Sequence, residues 1–131
     1  MKKALVIIGL VAVIGGLGLW GLEAYFRSVS DHLFARDAAQ VLCYHVHDML
    51  EEGKAVDQAA VDNCLKMLYD ASVINIKVTP DGTPTDYYGN RFHASWKTVG
   101  ETIDVTITTA GPDGKEGTDD DIVFTYDLGF R

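Results

Sequence analysis

The chain has 131 residues, enough for one ordinary domain and too few for two. Its charge is unevenly placed: nine basic and 19 acidic residues lie beyond Leu22, a net −10 that argues against nucleic acid and anionic lipid as partners of that part and suits cations. Two cysteines allow one bridge at most and exclude a disulfide framework.

Lys2 and Lys3 precede a run from Ala4 to Leu22 with no charged residue. As a helix this run spans roughly 28 Å, close to the hydrocarbon thickness of a bilayer. It has no polar face, which a core helix of that length would show. Its length, and the poor fit of Gly21-Leu22-Glu23-Ala24 to a small-residue cleavage site, favour an uncleaved anchor over a signal peptide. The chain therefore reads as a transmembrane anchor over residues 1–26 and an extracytoplasmic domain over 27–131. Lys2 and Lys3 on the short side put the N-terminus in the cytoplasm, so the expected location is the inner membrane, single-pass, with the acidic domain in the periplasm.

From about Ala24 to Glu52 the pattern is helical: Leu33, Phe34, Ala38, Val41, Leu42, His45, Met49 and Leu50 recur at three- and four-residue intervals. Gly and Pro are absent between Leu22 and Glu52, so one continuous helix is predicted, ending at Gly53 as its C-cap. Asp57 is a suitable N-cap for a second helix to about Asp70, with Ala60, Val61, Cys64, Leu65, Leu68 and Tyr69 as its apolar face. The period then changes to that of strands: Val73 to Val78, turned at Pro80-Asp81-Gly82, then Arg91 to Trp96, Thr102 to Thr109 and Ile122 to Tyr126. Helices first and strands second predict an α+β fold, with an antiparallel sheet packed against the helices.

Between the last two strands lies Gly111-Pro112-Asp113-Gly114-Lys115-Glu116-Gly117-Thr118-Asp119-Asp120-Asp121-Ile122. Carboxylates this close repel one another unless something neutralises them. Hard cations such as calcium take six to eight oxygens, which carboxylates and the carbonyls of glycine turns supply. The alternative is a solvated acidic hairpin, although a hairpin needs only two to five loop residues. An EF-hand is excluded: counted from Asp113, positions three, five and twelve are Lys115, Gly117 and Phe124.

Asp86-Tyr87-Tyr88-Gly89-Asn90-Arg91-Phe92, the strands after it, and Ala110-Gly111-Pro112-Asp113-Gly114 through Asp121-Ile122 together resemble the C-terminal half of the major pseudopilin of type II secretion systems. The resemblance covers residues 86–131. It implies a pilin-like fold, with a long N-terminal helix laid against a small sheet, and a loop that binds calcium. The ligands it implies are the side chains of Asp113, Asp120 and Asp121, with Asp119 as a neighbouring acid, and the backbone carbonyl of Ala110. The family's leader, a basic stretch ending in Gly before the apolar helix, is not present in that order, so processing by prepilin peptidase is not expected. Arg91 stands where the family has proline after Gly-Asn.

Other chemistry is thin. Cys43 and Cys64 could bridge two helices or remain buried thiols. Cys43 with His45, and His45 with His47, are two residues apart on a helix and point about 200° apart. Tyr44 and His47 are expected on the surface and His45 at the edge of the core. Asp70, Asp86 and Glu101 have no partner that would make an acid–base pair. Tyr87, Tyr88, Phe92 and Trp96 read as core. No catalytic constellation emerges, so the expected role is structural: a membrane-anchored component of an envelope or secretion assembly, with other envelope or pilin-like proteins as partners and homo-oligomerisation open. The alternative is a stand-alone membrane-tethered binding domain with no link to secretion.

Overall fold

The computed structural model describes residues 2–126; the last five residues of the expected domain lie outside them. The fold is α+β: a long N-terminal helix, a second helix and two small antiparallel sheets, a layout consistent with that of pilins. The elements are α1 (Lys2–Glu51), α2 (Gln58–Asp70), β1 (Lys77–Val78), β2 (Pro84–Thr85), β3 (His93–Val99), β4 (Thr102–Thr109) and β5 (Ile122–Tyr126). The chain divides into two compact units, Met1–Ser30 and Asp31–Arg131.

The first unit is helical, and every described side chain from Lys3 to Val29 is exposed. Its bulkiest apolar groups, Leu19 and Trp20, are each 71% exposed. A helix this apolar with nothing covering it is long enough to cross a membrane, as an anchor or a signal sequence. Glu23 and Arg27, four residues apart, form an exposed ion pair at 3.1 Å.

In the second unit α1 ends as predicted. Gly53 adopts φ +73, its N–H donates to Leu50 O, and the Lys54 N–H donates to Met49 O: the paired bonds of a Schellman motif. Asp57 caps α2 by accepting from the Ala60 N–H at 2.8 Å. The far end of α2 closes with the same pair of bonds, Ser72 N–H to Tyr69 O and Val73 N–H to Leu68 O. Here the left-handed position, φ +59, is filled by Ser72 instead of glycine.

The core joins Ala38, Ala39, Leu42, Cys43 and Val46 of α1 to Val61, Leu65 and Leu68 of α2. Ile74, Ile76, Phe92 and the inward residues of β4, Val105 and Ile107, complete it. β4 lies between its neighbours, in register Trp96↔Val105 with β3 and Ile107↔Phe124 with β5. Val105, Ile107 and Thr109 alternate inward, the period a half-buried strand requires. β1 and β2 form a separate two-stranded ladder, Lys77↔Thr85 and Val78↔Pro84, closed by the turn at Gly82.

Several expectations are corrected. The buried stripe of α1 is Ala35, Ala38, Ala39, Leu42, Cys43, Val46 and His47, while Leu33 is 52% exposed. Small residues lie under the contact, where the chain can approach closely, and the larger Val41, Met49 and Leu50 flank it. The strand expected over Val73 to Val78 pairs only at Lys77 and Val78; Ile74 and Ile76 are buried without a ladder. Of the aromatic group only Phe92 is core, and Trp96 is 42% exposed. His47 is 5% exposed, not a surface residue, because the ring of Tyr126 covers it edge-on with centroids 5.0 Å apart.

Cys43 and Cys64 are both free and buried. The Cys43 thiol donates to the Val105 carbonyl at 3.3 Å, which turns it toward the sheet. Burial pushes Cys43 up to about 11, against the lowering effect of the Tyr126 backbone N–H, and burial raises Cys64 too.

Candidate functional site

The loop between β4 and β5 is shaped by three left-handed glycines, Gly111, Gly114 and Gly117, with φ of +71, +67 and +80. Gly111 is the most constrained of them. A Cβ there would lie 2.0 Å from the backbone oxygen of Asp120, so the two ends of the loop touch at a point only glycine can occupy. The Gly114 N–H returns to Gly111 O at 3.2 Å, making a tight turn around Pro112 and Asp113.

A second turn braces the start of the loop. Asp86 is fully buried, and its Oδ1 accepts from the N–H groups of Tyr88 and Asn90, both at 2.9 Å. Its Oδ2 has no hydrogen-bond partner among the described residues. The turn delivers the Asn90 side-chain amide to the Gly111 carbonyl at 2.6 Å. Gln58, His93 and Glu116 brace the tip: one ring nitrogen of His93 lies 3.2 Å from Gln58 Oε1 and the other 2.8 Å from Glu116 Oε1. Neither brace is visible in sequence spacing, since each joins residues more than 20 positions apart.

Within the loop, Asp113 and Asp121 converge on Thr118. Asp113 Oδ2 accepts from the Thr118 hydroxyl at 2.7 Å, and Asp121 Oδ1 lies 3.4 Å from the same hydroxyl. Asp113 Oδ1 accepts from the Lys115 N–H at 2.9 Å, and Asp121 Oδ2 from the Gly117 N–H at 2.8 Å. The Lys115 amide first, and the Thr118 hydroxyl after it, hold the Asp113 carboxyl below its ordinary range. Ala110 is buried at the end of the ladder. Asp119 and Asp120 are exposed, and their carboxylates take no part in the Thr118 network.

The sequence-derived set is thus brought together only in part. Asp113 and Asp121 share a hydroxyl, with the Lys115 carbonyl also within 3.2 Å of it. These are hard oxygen donors of the kind calcium takes. Each of their oxygens already accepts from a loop N–H or O–H group, and no trio of loop carboxylates gathers within metal-binding reach among the described residues. A cation would share Asp113 and Asp121 with Thr118 or displace its hydroxyl.

Where three potential ligand atoms do gather, within 4.8 Å of one another, they belong to His47, Asp48 and Glu51 near the end of α1. Glu51 Oε1 is 3.6 Å from His47 Nε2, a buried atom with no hydrogen-bond partner among the described residues, and Asp48 Oδ1 is 4.0 Å from Nδ1. The two carboxylates thus approach different ring nitrogens, whereas one ion uses a single nitrogen of a histidine. Elsewhere, a cavity of about 640 Å³ is lined by Phe34, Asp37, Tyr69, Asp70, Ser72 and Asn75 with their neighbours. No protein family, curated protein or solved structure matches the chain.

Proposed function

We propose that this protein is a membrane-anchored, pseudopilin-like structural component of an envelope or secretion assembly. The observation that carries the reading is an uncovered apolar helix in the same chain as a folded α+β unit of pilin-like layout. In this reading the helix spans the inner membrane with Lys2 and Lys3 on the cytoplasmic side, and the acidic unit meets other envelope proteins in the periplasm.

The loop supplies the second part of the proposal. Calcium would exchange the Thr118-centred hydrogen bonds for ion contacts to Asp113 and Asp121, with Asp119, Asp120 and the Ala110 carbonyl completing an oxygen shell. Binding only the folded loop, it would add about 2.7 kcal/mol to stability at a hundredfold excess over Kd. The chemistry it supplies is electrostatic neutralisation of the loop, a structural and not a catalytic role.

The test uses the full chain. In membranes, alkaline extraction should leave it in the pellet, protease should reach residues beyond Arg27 only from the periplasmic side, and cross-linking should capture a second copy or another envelope protein. A chain that stays monomeric would instead be a tethered binding domain. In detergent, thermal unfolding should rise by several degrees with calcium and not with magnesium, and Asp113→Asn or Asp121→Asn should abolish the rise. A calcium response unchanged in both variants would remove the loop as the site.

A further inference from the structure

Away from the loop, α1, α2 and the segment joining them line an open pocket of about 400 Å³ that includes His45, Met49, Cys64 and Met67, with Lys54 and Asn63 among its other walls. Four of the lining side chains carry an imidazole nitrogen or a sulfur. Met49 and Met67 are the chain's two methionines after Met1, so both thioethers outside the first residue open onto one cavity. The spacing explains the convergence. His45 and Met49 are four residues apart on α1 and Cys64 and Met67 three apart on α2, so each pair shares one helix face.

The donor set is soft. Thioether, thiol and imidazole together select monovalent copper over hard divalent ions, which prefer carboxylate and carbonyl oxygens. Among the described residues no carboxylate lines the cavity. We propose that this cavity is a binding site for a cuprous ion, held by His45, Met49, Cys64 and Met67.

Packing accounts for Cys64, a member of the buried cluster, and for Met49, which flanks it, but not for Met67. Met67 is 56% exposed, so it contributes little to the core, and its flexible unbranched chain is free to swing its sulfur inward. Cys64 is 8% exposed and makes no hydrogen bond among the described residues, whereas the other cysteine is turned away to the Val105 carbonyl. On metallation the Cys64 thiol releases its proton to solvent and the thiolate binds copper, so the ion and its anionic ligand sum to zero charge. That neutrality suits a half-buried cavity better than a doubly charged ion would.

The site is independent of the calcium reading, and its test does not involve the loop. The full chain in detergent is titrated anaerobically into cuprous ion held by a chromophoric chelator. One equivalent should pass to the protein. Met49→Leu and Met67→Leu should each weaken retention roughly tenfold or more, and Cys64→Ser should abolish it, because a soft donor is lost in each case. Leucine conserves volume, so circular dichroism and unfolding of the two methionine variants should match the parent, which separates lost ligands from lost fold. Copper remaining with the chelator would overturn the proposal. So would a Met49→Leu, Met67→Leu double variant that retains copper as tightly as the parent.

Discussion

Replacing Gly111 with alanine tests the closure of the loop on which the candidate site is built. Two effects separate cleanly because Gly117 serves as a control: both glycines are left-handed, but a Cβ at Gly117 meets nothing within 4 Å. Gly117→Ala should therefore cost only the left-handed penalty, about 1–2 kcal/mol. Gly111→Ala carries the same penalty and also sets its Cβ 2.0 Å from Asp120 O, a separation that forces the two loop ends apart. Opening that contact strains the Asn90 bond to Gly111 O and the last ladder pair, Thr109↔Ile122, each worth about 1 kcal/mol. The total is about 3–4 kcal/mol, or roughly twice the loss at Gly117. At roughly 4–8 °C per kcal/mol for a domain of this size, the melting temperature should fall by about 15 °C or more. Denaturant unfolding of the full chain in detergent, followed by Trp96 fluorescence in a Trp20→Phe background, reads the difference. Equal losses for the two variants, within about 0.5 kcal/mol, would refute the claim that the loop ends meet at Gly111.

Three further expectations follow from geometry. Ser72→Gly should raise stability by about 0.5–1 kcal/mol, because glycine relieves the left-handed strain at φ +59 and part of that gain is offset by its freer unfolded chain; a lowered denaturation midpoint would contradict it. Asp113 should titrate below the ordinary aspartate range by carboxyl-detected NMR, and Thr118→Ala should raise its midpoint only in part, since the larger Lys115 amide bond survives. Its folded value being the depressed one, Asp113 contributes stability above its unfolded pKa, and that contribution is lost as pH falls through the folded pKa; a midpoint unmoved by Thr118→Ala would count against the network. At pH 8 the folded chain should resist alkylation at Cys43, whose thiol is pushed up to about 11, and should react fully after denaturation; modification of the native chain would show that this thiol is not sealed against Val105.

The elements with local causes were readable from sequence. Asp57 as a cap, Gly53 as a stop and the strand over Thr102 to Thr109 each have causes within a few residues, and each appears where expected. The α+β order followed from them. Contacts between distant segments were less accessible. The buried stripe of α1 is rotated from the apolar residues toward Ala35, Ala39 and Cys43, because close approach to the sheet selects small side chains over the most hydrophobic ones. His47 looked solvent-facing until Tyr126, nearly 80 positions later, was placed over it. In the loop, sequence identified a dense oxygen donor set but not its arrangement, in which Thr118 gathers Asp113 and Asp121 while Asp119 and Asp120 face water. The strand pair at Pro84–Thr85 was missed because two residues are too few to generate a period.

The order β3-β4-β5 gives the loop unequal supports. Of the two strands that hold it, β4 is hydrogen-bonded on both sides and supplies Val105 and Ile107 to the core, whereas β5 borders the sheet. Amide exchange should accordingly be slowest in β4, and the lowest-energy openings should release β5 first. The Gly111 end of the loop would then stay seated while the Asp121 end comes away, like a clasp hinged at one side. A ligand that ties Asp121 back to Asp113 would slow exchange in β5 far more than in β4, and its presence could be read from the amides of a strand that it never touches.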